Sequence, residues 1–251
     1  MLVDANILQP LIDVANAVLK FFHENVGLSW GMSIVALTVC TRAILIPLTY
    51  KQLKGMRAMQ ALQPQIKELQ EKYKNDKQRM QQEMMRFYKE NKVNPFASCI
   101  PLIAQLPVFI TLFHTLRHEL PPDMGCEAGH CAAYGAEFLF VKDLTASAHG
   151  AELIALLVLY VGTQLASGFF MSVTADKSQR MMMFILPLVF VPFVINFPAG
   201  LIVYWITTNL WTIGQGITIN KIIPAPHVAT PEEKRAAKPP PKPPKKKRKR
   251  R

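Results

Sequence analysis

Few residues in this chain have the chemistry to act on a ligand, and most of those lie in apolar surroundings where polarity is costly. Arg42 stands near the middle of SIVALTVCTRAILIPLTY, residues 33 to 50. A guanidinium is neither a nucleophile nor a base at neutral pH, so its available chemistry is to bind a carboxylate or another anion. At the centre of a bilayer it costs roughly 2.5 to 3.5 kcal/mol, so it should face protein or water, and it is a functional candidate by default. Thr38, Thr41 and Thr49 extend a polar stripe along its helix. Gln105, Gln164, Trp205 and Asn209 lie in other apolar stretches. With Thr38 and Arg42 they are expected to converge on one polar cavity, a substrate groove suited to binding and not to bond-making. The bland alternative is that Arg42 neutralises a buried carboxylate, but no other apolar span carries an internal Asp or Glu.

The elements that must position these residues are helical. Residues 28 to 50 at helical rise cover ~33 Å, just over the ~30 Å hydrocarbon core, and read as a first transmembrane helix bent near Pro47. Further spans are expected at about 96–116, with Pro101 and Pro107 inside, then 153–173, 181–195 and 201–219. The fourth has only ~15 apolar residues, or ~22 Å, so a locally thin membrane is expected around it. On the fifth, Trp205, Thr208, Asn209 and Thr212 are spaced to share a face. Ahead of the spans, residues 1–26 place Ile7, Leu8, Leu11, Ile12, Ala15, Val18, Leu19 and Phe22 at helical period with Asp13 and Lys20 on other faces, which reads as an interfacial amphipathic helix. The run lacks a basic n-region or an early lipid-attachment cysteine, so a mature N-terminus is expected. Residues 51–94 are polar and Met-rich, with apolar stripes at Ile66, Leu69 and Tyr73 and at Met80, Met84 and Phe87. They read as a helical hairpin, interrupted at Pro64 and turning at Asn75-Asp76.

Half of the 251 residues are hydrophobic, so one polytopic membrane domain at 27–222 accounts for the chain without a separate soluble core. The net charge of +12 is unevenly placed. All 29 Lys and Arg residues except Lys20, Arg42, Arg117 and Lys142 fall in the hairpin, the 174–180 link and the region after the last span. The positive-inside rule then sets the N-terminus outside, the hairpin and C-terminus in the cytoplasm, and the 117–150 loop outside. The segment 223–251 ends in a proline-rich basic tail that is expected to be disordered. Its final Lys245, Lys246, Lys247, Arg248, Lys249, Arg250 and Arg251 suit either anionic lipid headgroups or ribosomal RNA phosphates. Charge alone leaves both open.

No Ser-His-Asp or Cys-His arrangement, phosphate-binding glycine loop or paired intramembrane carboxylates are evident, so no catalytic residue, resident metal or cofactor is expected and the chain does not read as an enzyme. His114 borders the second span and reads as an interfacial histidine. Cys126 and Cys131 in the outer loop suit a disulfide closing a small loop, or a zinc site recruiting His130 or His149. Cys40 and Cys99 sit in apolar segments and read as small buried residues.

Three stretches in order carry a resemblance: VCTRAILIPLTYKQLKGMRAMQALQPQIKELQEKYKND, EMMRFYKENKVNPFASCIPLIAQLPVF and FPAGLIVYWITTNLWTIGQ. Over about residues 20–222 the chain resembles the YidC family of membrane protein insertases, bacterial relatives of the mitochondrial Oxa proteins. The resemblance implies an all-α membrane protein in which five transmembrane helices enclose a hydrophilic groove open to the cytoplasm and to lipid. Arg42 matches the family's groove arginine, and Thr38 and Trp205 match groove-lining positions. The second and fourth spans look like an apolar slide for a client's hydrophobic segment, and 51–94 like the family's cytoplasmic hairpin. Partners implied are nascent membrane proteins, the lipid bilayer, the ribosome through the basic tail and, as a further candidate, the Sec translocon, with no DNA. Departures are the missing large extracytoplasmic domain and extra N-terminal span, and a longer outer loop. The alternatives are a small-solute transporter using Arg42 as an anion site, disfavoured because no internal repeat is visible, and an assembly scaffold without insertion activity.

Overall fold

The computed structural model describes residues 8–91, 93–94, 100–127, 130–172 and 177–222. The start of the N-terminal helix at 1–7, Pro95, Cys99 and the opening of the second span, residues 174–176 of the link, and the whole tail including Lys245 to Arg251 lie outside the described residues. Among the described residues every regular element is helical, apart from two isolated bridges. In order these are α1 (Gln9–Lys20), α2 (Trp30–Ile44), α3 (Ile46–Lys72), α4 (Lys77–Glu90), α5 (Ile100–His114), α6 (Leu120–Met124), α7 (Gly150–Ser172), α8 (Lys177–Val194) and α9 (Ala199–Ile222).

The span at 28–50, expected to bend near Pro47, is broken there into two helices. Ser29 caps α2 by accepting from the Met32 amide, and the helix stops at Leu45, where α3 departs at an angle of 55°. Pro47, in the first turn of α3, has no N–H to give to the Ala43 carbonyl, so the break falls just before it. Arg42 therefore lies in the last turn of α2, beside a bend. By length and apolarity, Gly150–Phe170 within α7 can cross a membrane alone, and Trp30–Ile44 with Ile46–Met59 qualifies as one broken span. The outer sides of α7 and α8 leave Ile154, Val158, Leu188, Val189 and Phe193 exposed, an apolar surface suited to lipid. Cys40 of α2, expected to be a small buried residue, is exposed as well.

α3 runs through Pro64 without the expected interruption. Pro64 is exposed, so the carbonyl it leaves unpaired can be solvated and the helix continues. After the turn at 73–75, Asp76 caps α4 by accepting from the Arg79 amide at 3.0 Å, which satisfies one of the orphan donors of a helix start.

Packing is concentrated at one end of the bundle. Leu19 from the end of α1, Trp30 and Ile34 from the start of α2, Leu112 from the end of α5, Leu156 from the start of α7 and Leu201 to Tyr204 from the start of α9 form one buried cluster. The amphipathic α1 supplies Ile12, Ala15 and Leu19 to the interior while Leu11 and Val14 remain exposed. The segment expected as an open polar loop at 117–150 is largely structured, because Leu116 and Leu120 continue the apolar period of α5 through a π turn at Thr115–Glu119 and stay fully buried. Beyond α6 the chain folds back over the bundle. Carbonyls of Leu144 and Ala146 accept from the amides of Gly200 and Ala199 at 2.9 and 2.7 Å, capping the start of α9 from another segment. Asp123 receives Lys20 Nζ at 2.7 Å and Asn16 Nδ2 at 3.0 Å, tying α1 to the same end. The closure also needs a glycine: an added Cβ at Gly31 would lie 2.1 Å from the Phe138 ring. Gly31→Ala should therefore cost about 1 to 3 kcal/mol through overpacking, seen as a lowered Tm of the purified protein in detergent; an unchanged Tm would contradict this packing.

Candidate substrate groove

The six groove candidates come from four helices, and short contacts link most of them. Arg42 is half-buried and its Nη2 donates to Gln105 Oε1 of α5 at 2.9 Å. Gln105 and Phe109 are four residues apart and share one face of α5. The Phe109 ring lies 5.3 Å from the Trp205 ring of α9, and Tyr160 of α7 lies 5.4 Å from it on another side. One turn further along α9, Asn209 Nδ2 donates to Thr163 Oγ1 of α7 at 3.2 Å. Arg42 thus connects through Gln105, Phe109, Trp205 and Asn209 to α7, where Gln164 follows Thr163 and is half-buried. Tyr204, fully within the core, is close enough to Arg42 for the two to interact electrostatically.

Thr38 is placed differently. Its side chain is buried at 1% exposure and its hydroxyl donates to the Ile34 carbonyl of its own helix at 2.7 Å. It sits one turn from Arg42 on α2, on the side of the buried cluster that holds Ile34. Thr41, one residue from Arg42, likewise donates back to Leu37. These back-bonds satisfy hydroxyls that apolar surroundings would otherwise penalise.

The chemistry left over is that of hydrogen-bond donation. With Gln105 Oε1 engaged by Arg42, Gln105 Nε2 is buried and has no partner within the described protein. The same holds for Trp211 Nε1 and Gln215 Nε2 on α9, while the buried Thr208 hydroxyl lies against Tyr204 one turn away. Thr208, Trp211 and Gln215 are spaced three and four residues apart, so they form a stripe along one face of α9. A buried polar group without a partner costs about 1 to 3 kcal/mol, so this stripe is suited to a polar segment or to water that hydrogen-bonds it. Sequence reading placed Thr208 on the α9 face but missed Trp211 and Gln215. Their spacing of three and seven residues from Thr208 was the available signal. Phe109, Tyr160 and Thr163 were missed as well, each lying four residues or one residue from a candidate that was named. No group of three or more His, Cys, Asp or Glu residues able to hold a metal occurs among the described residues.

Comparison with known proteins decides the family. The model of the 60Kd inner membrane protein family matches residues 21–226. The chain belongs to this family. Among its relatives, the membrane protein insertase YidC of Streptomyces avermitilis is 38% identical over 236 residues, covering 82% of this chain and 55% of the relative. The YidC insertase of Histophilus somni is 39% identical over 189 residues, covering 74% of this chain and 32% of the relative. A crystal structure of an active YidC insertase with its first transmembrane domain resolved superposes with a TM-score of 0.61 at 27% identity, covering 85% of this chain and 46% of that one. The chain thus spans roughly half or less of these relatives, and it is a YidC-family membrane protein with an all-helical fold.

In this family member the pairing of Arg42 with Gln105 is open to direct test. A double-mutant cycle with Arg42→Met and Gln105→Leu should give a coupling of about 1 to 3 kcal/mol in unfolding free energy, the range for a hydrogen bond to a charged group. Additive effects of the two changes would contradict the contact.

Proposed function

We propose that this chain is a membrane protein insertase, acting as a chaperone for short-tailed nascent membrane proteins. Its spans lie at α2 with the start of α3, then α5, α7, α8 and α9, with the N-terminus outside and the hairpin α3–α4 and the tail in the cytoplasm of a bacterial plasma membrane. The observation that carries the reading is that Arg42, in the last turn of α2 beside the bend into α3, donates a hydrogen bond to Gln105 of α5 within otherwise apolar helices. The names of the relatives and the asymmetry of basic charge along the chain support it.

The mechanism is energetic. A client's exported tail, often acidic, meets a large desolvation penalty in hydrocarbon. A groove reaching partway through the membrane shortens the apolar distance that the tail must cross. Arg42 supplies a transient counter-charge, and Gln105 Nε2 and the Thr208, Trp211 and Gln215 stripe supply hydrogen bonds in place of water. Trp205, Asn209, Thr38 and Gln164 shape the walls. The client's apolar segment leaves sideways along α5 and α8 into lipid, driven by its own burial at roughly 25 cal/mol per Å². No nucleotide or redox cofactor enters the cycle. The basic tail brings the ribosome to the membrane through RNA phosphates, and the Sec translocon is a further partner for longer clients.

If Arg42 acts as a counter-charge, its removal should discriminate between clients. Arg42→Ala is expected to lower insertion of a client with an acidic tail by roughly tenfold, the equivalent of about 1.4 kcal/mol, and to affect a neutral-tailed version much less. Equal losses for both, measured by protease protection in inverted membrane vesicles, would contradict the counter-charge role.

A further inference from the structure

The segment between α6 and α7 has no part in the groove, yet it is firmly built. A disulfide joins Cys126 and Cys131, whose Cα atoms are 5.4 Å apart. Asp143 is buried, and its carboxylate accepts from the Cys131 amide at 2.8 Å and from the amide and hydroxyl of Thr145 at 2.8 and 2.6 Å. From this base a tight turn projects, closed by Phe138 N donating to Val141 O at 2.9 Å and Val141 N donating to Phe138 O at 2.8 Å.

The residues at its tip are unusual for water. Leu139 is 85% exposed and Phe140 is 45% exposed. Leu139 also has φ +56°, the one non-glycine residue in the left-handed region among those described. Glycine, asparagine or aspartate meets that backbone requirement at less steric cost, so an exposed leucine is disfavoured there both by conformation and by solvation. The turn is anchored at a definite height. The Phe138 ring rests directly on Gly31, in the first turn of α2, and the next residue, Met32, is the first exposed apolar side chain of that helix. The tip is therefore continuous with the start of the bundle's lipid-facing surface. Lys142 is exposed immediately after it and offers an ammonium group to an anionic headgroup.

We infer that the 138–141 turn is an interfacial anchor that places Leu139 and Phe140 in the bilayer leaflet at this end of the bundle, with Lys142 at the level of the lipid phosphates. Such side chains reach roughly 5 to 10 Å into the boundary between headgroups and acyl chains. The disulfide and the Asp143 brace hold the turn at that depth, and because the same segment caps α9, the anchor fixes the closed end of the groove relative to the membrane. The inference rests on reading α2 and α7 as membrane-spanning.

The test uses the full chain with Cys40→Ala and Cys99→Ala, the native disulfide retained, and one added cysteine carrying an environment-sensitive fluorophore. The positions are Leu139→Cys, Phe140→Cys, Glu137→Cys and Val158→Cys, in phosphatidylethanolamine and phosphatidylglycerol vesicles with iodide on both sides or with brominated acyl chains. Labels at 139 and 140 should lose most of their emission to brominated lipid and little to iodide, and the label at 137 should do the reverse. Quenching of 139 and 140 by iodide as strong as that of 137 would overturn the anchor, and protection from both quenchers would overturn it in favour of a protein occupant. The Val158 label on α7 separates the two levels of the argument. If it is not quenched by brominated lipid, the membrane-spanning reading itself fails and the anchor with it; if it is quenched while 139 and 140 are not, only the anchor fails.

Discussion

A guanidinium group cannot rest in hydrocarbon, and the arrangement of this bundle follows from where Arg42 is put. It sits in the last turn of α2, next to a bend enforced by Pro47, and its side chain reaches across to Gln105 of α5. Had α2 continued straight, the charge would have been carried along a uniform apolar cylinder. The bend instead places it at a discontinuity, where α3 turns away from the line of α2 by 55°. Irregular backbone at membrane depth is tolerated only where it is covered by protein or lines a polar cavity. The arginine and the bend are thus compatible with the same surroundings, and each would be costly without them.

The other end of the bundle is densely packed. The cluster running from Leu19 and Trp30 to Tyr204 packs the starts of α2, α7 and α9 together, and the segment after α6 reinforces it with a disulfide, a buried carboxylate and carbonyl caps on α9. α9 carries both kinds of residue: Ala199 to Tyr204 are buried in the core, whereas Trp211 and Gln215 further along hold buried polar atoms without a partner among the described residues. One helix therefore links the well-packed cluster to the polar face.

Much of this was legible in the residues, and the parts that were not have physical reasons. A lone arginine in an apolar run stands out because its insertion cost is large, and the face of α9 stands out because helical period is a local property. Asp76 announces a helix start in the same local way. The partnership of Arg42 and Gln105 joins residues on different helices, and nothing in the spacing along the chain encodes it. The aromatic group of Phe109, Tyr160 and Trp205 is likewise a product of packing between three helices. Pro47 suggested a bend but not that the helix would end at Leu45, and Pro64 suggested an interruption that its exposed position does not require. The segment from 125 to 148 is held by turns, backbone caps and one buried aspartate, none of which has a periodic signature, so it read as a polar loop.

On the function proposed for this chain, Arg42 helps to move a client's polar tail across the bilayer, and the simplest form of that proposal needs no second protein. The most direct measurement is insertion of a short client with an exported acidic N-terminal tail into proteoliposomes containing only this protein, scored by protease protection against empty liposomes. Protection clearly above the empty-liposome level is the predicted result. Protection no greater than in empty liposomes, with the protein shown to be folded and correctly oriented, would contradict autonomous insertion and leave the chain as an assembly factor that needs a partner.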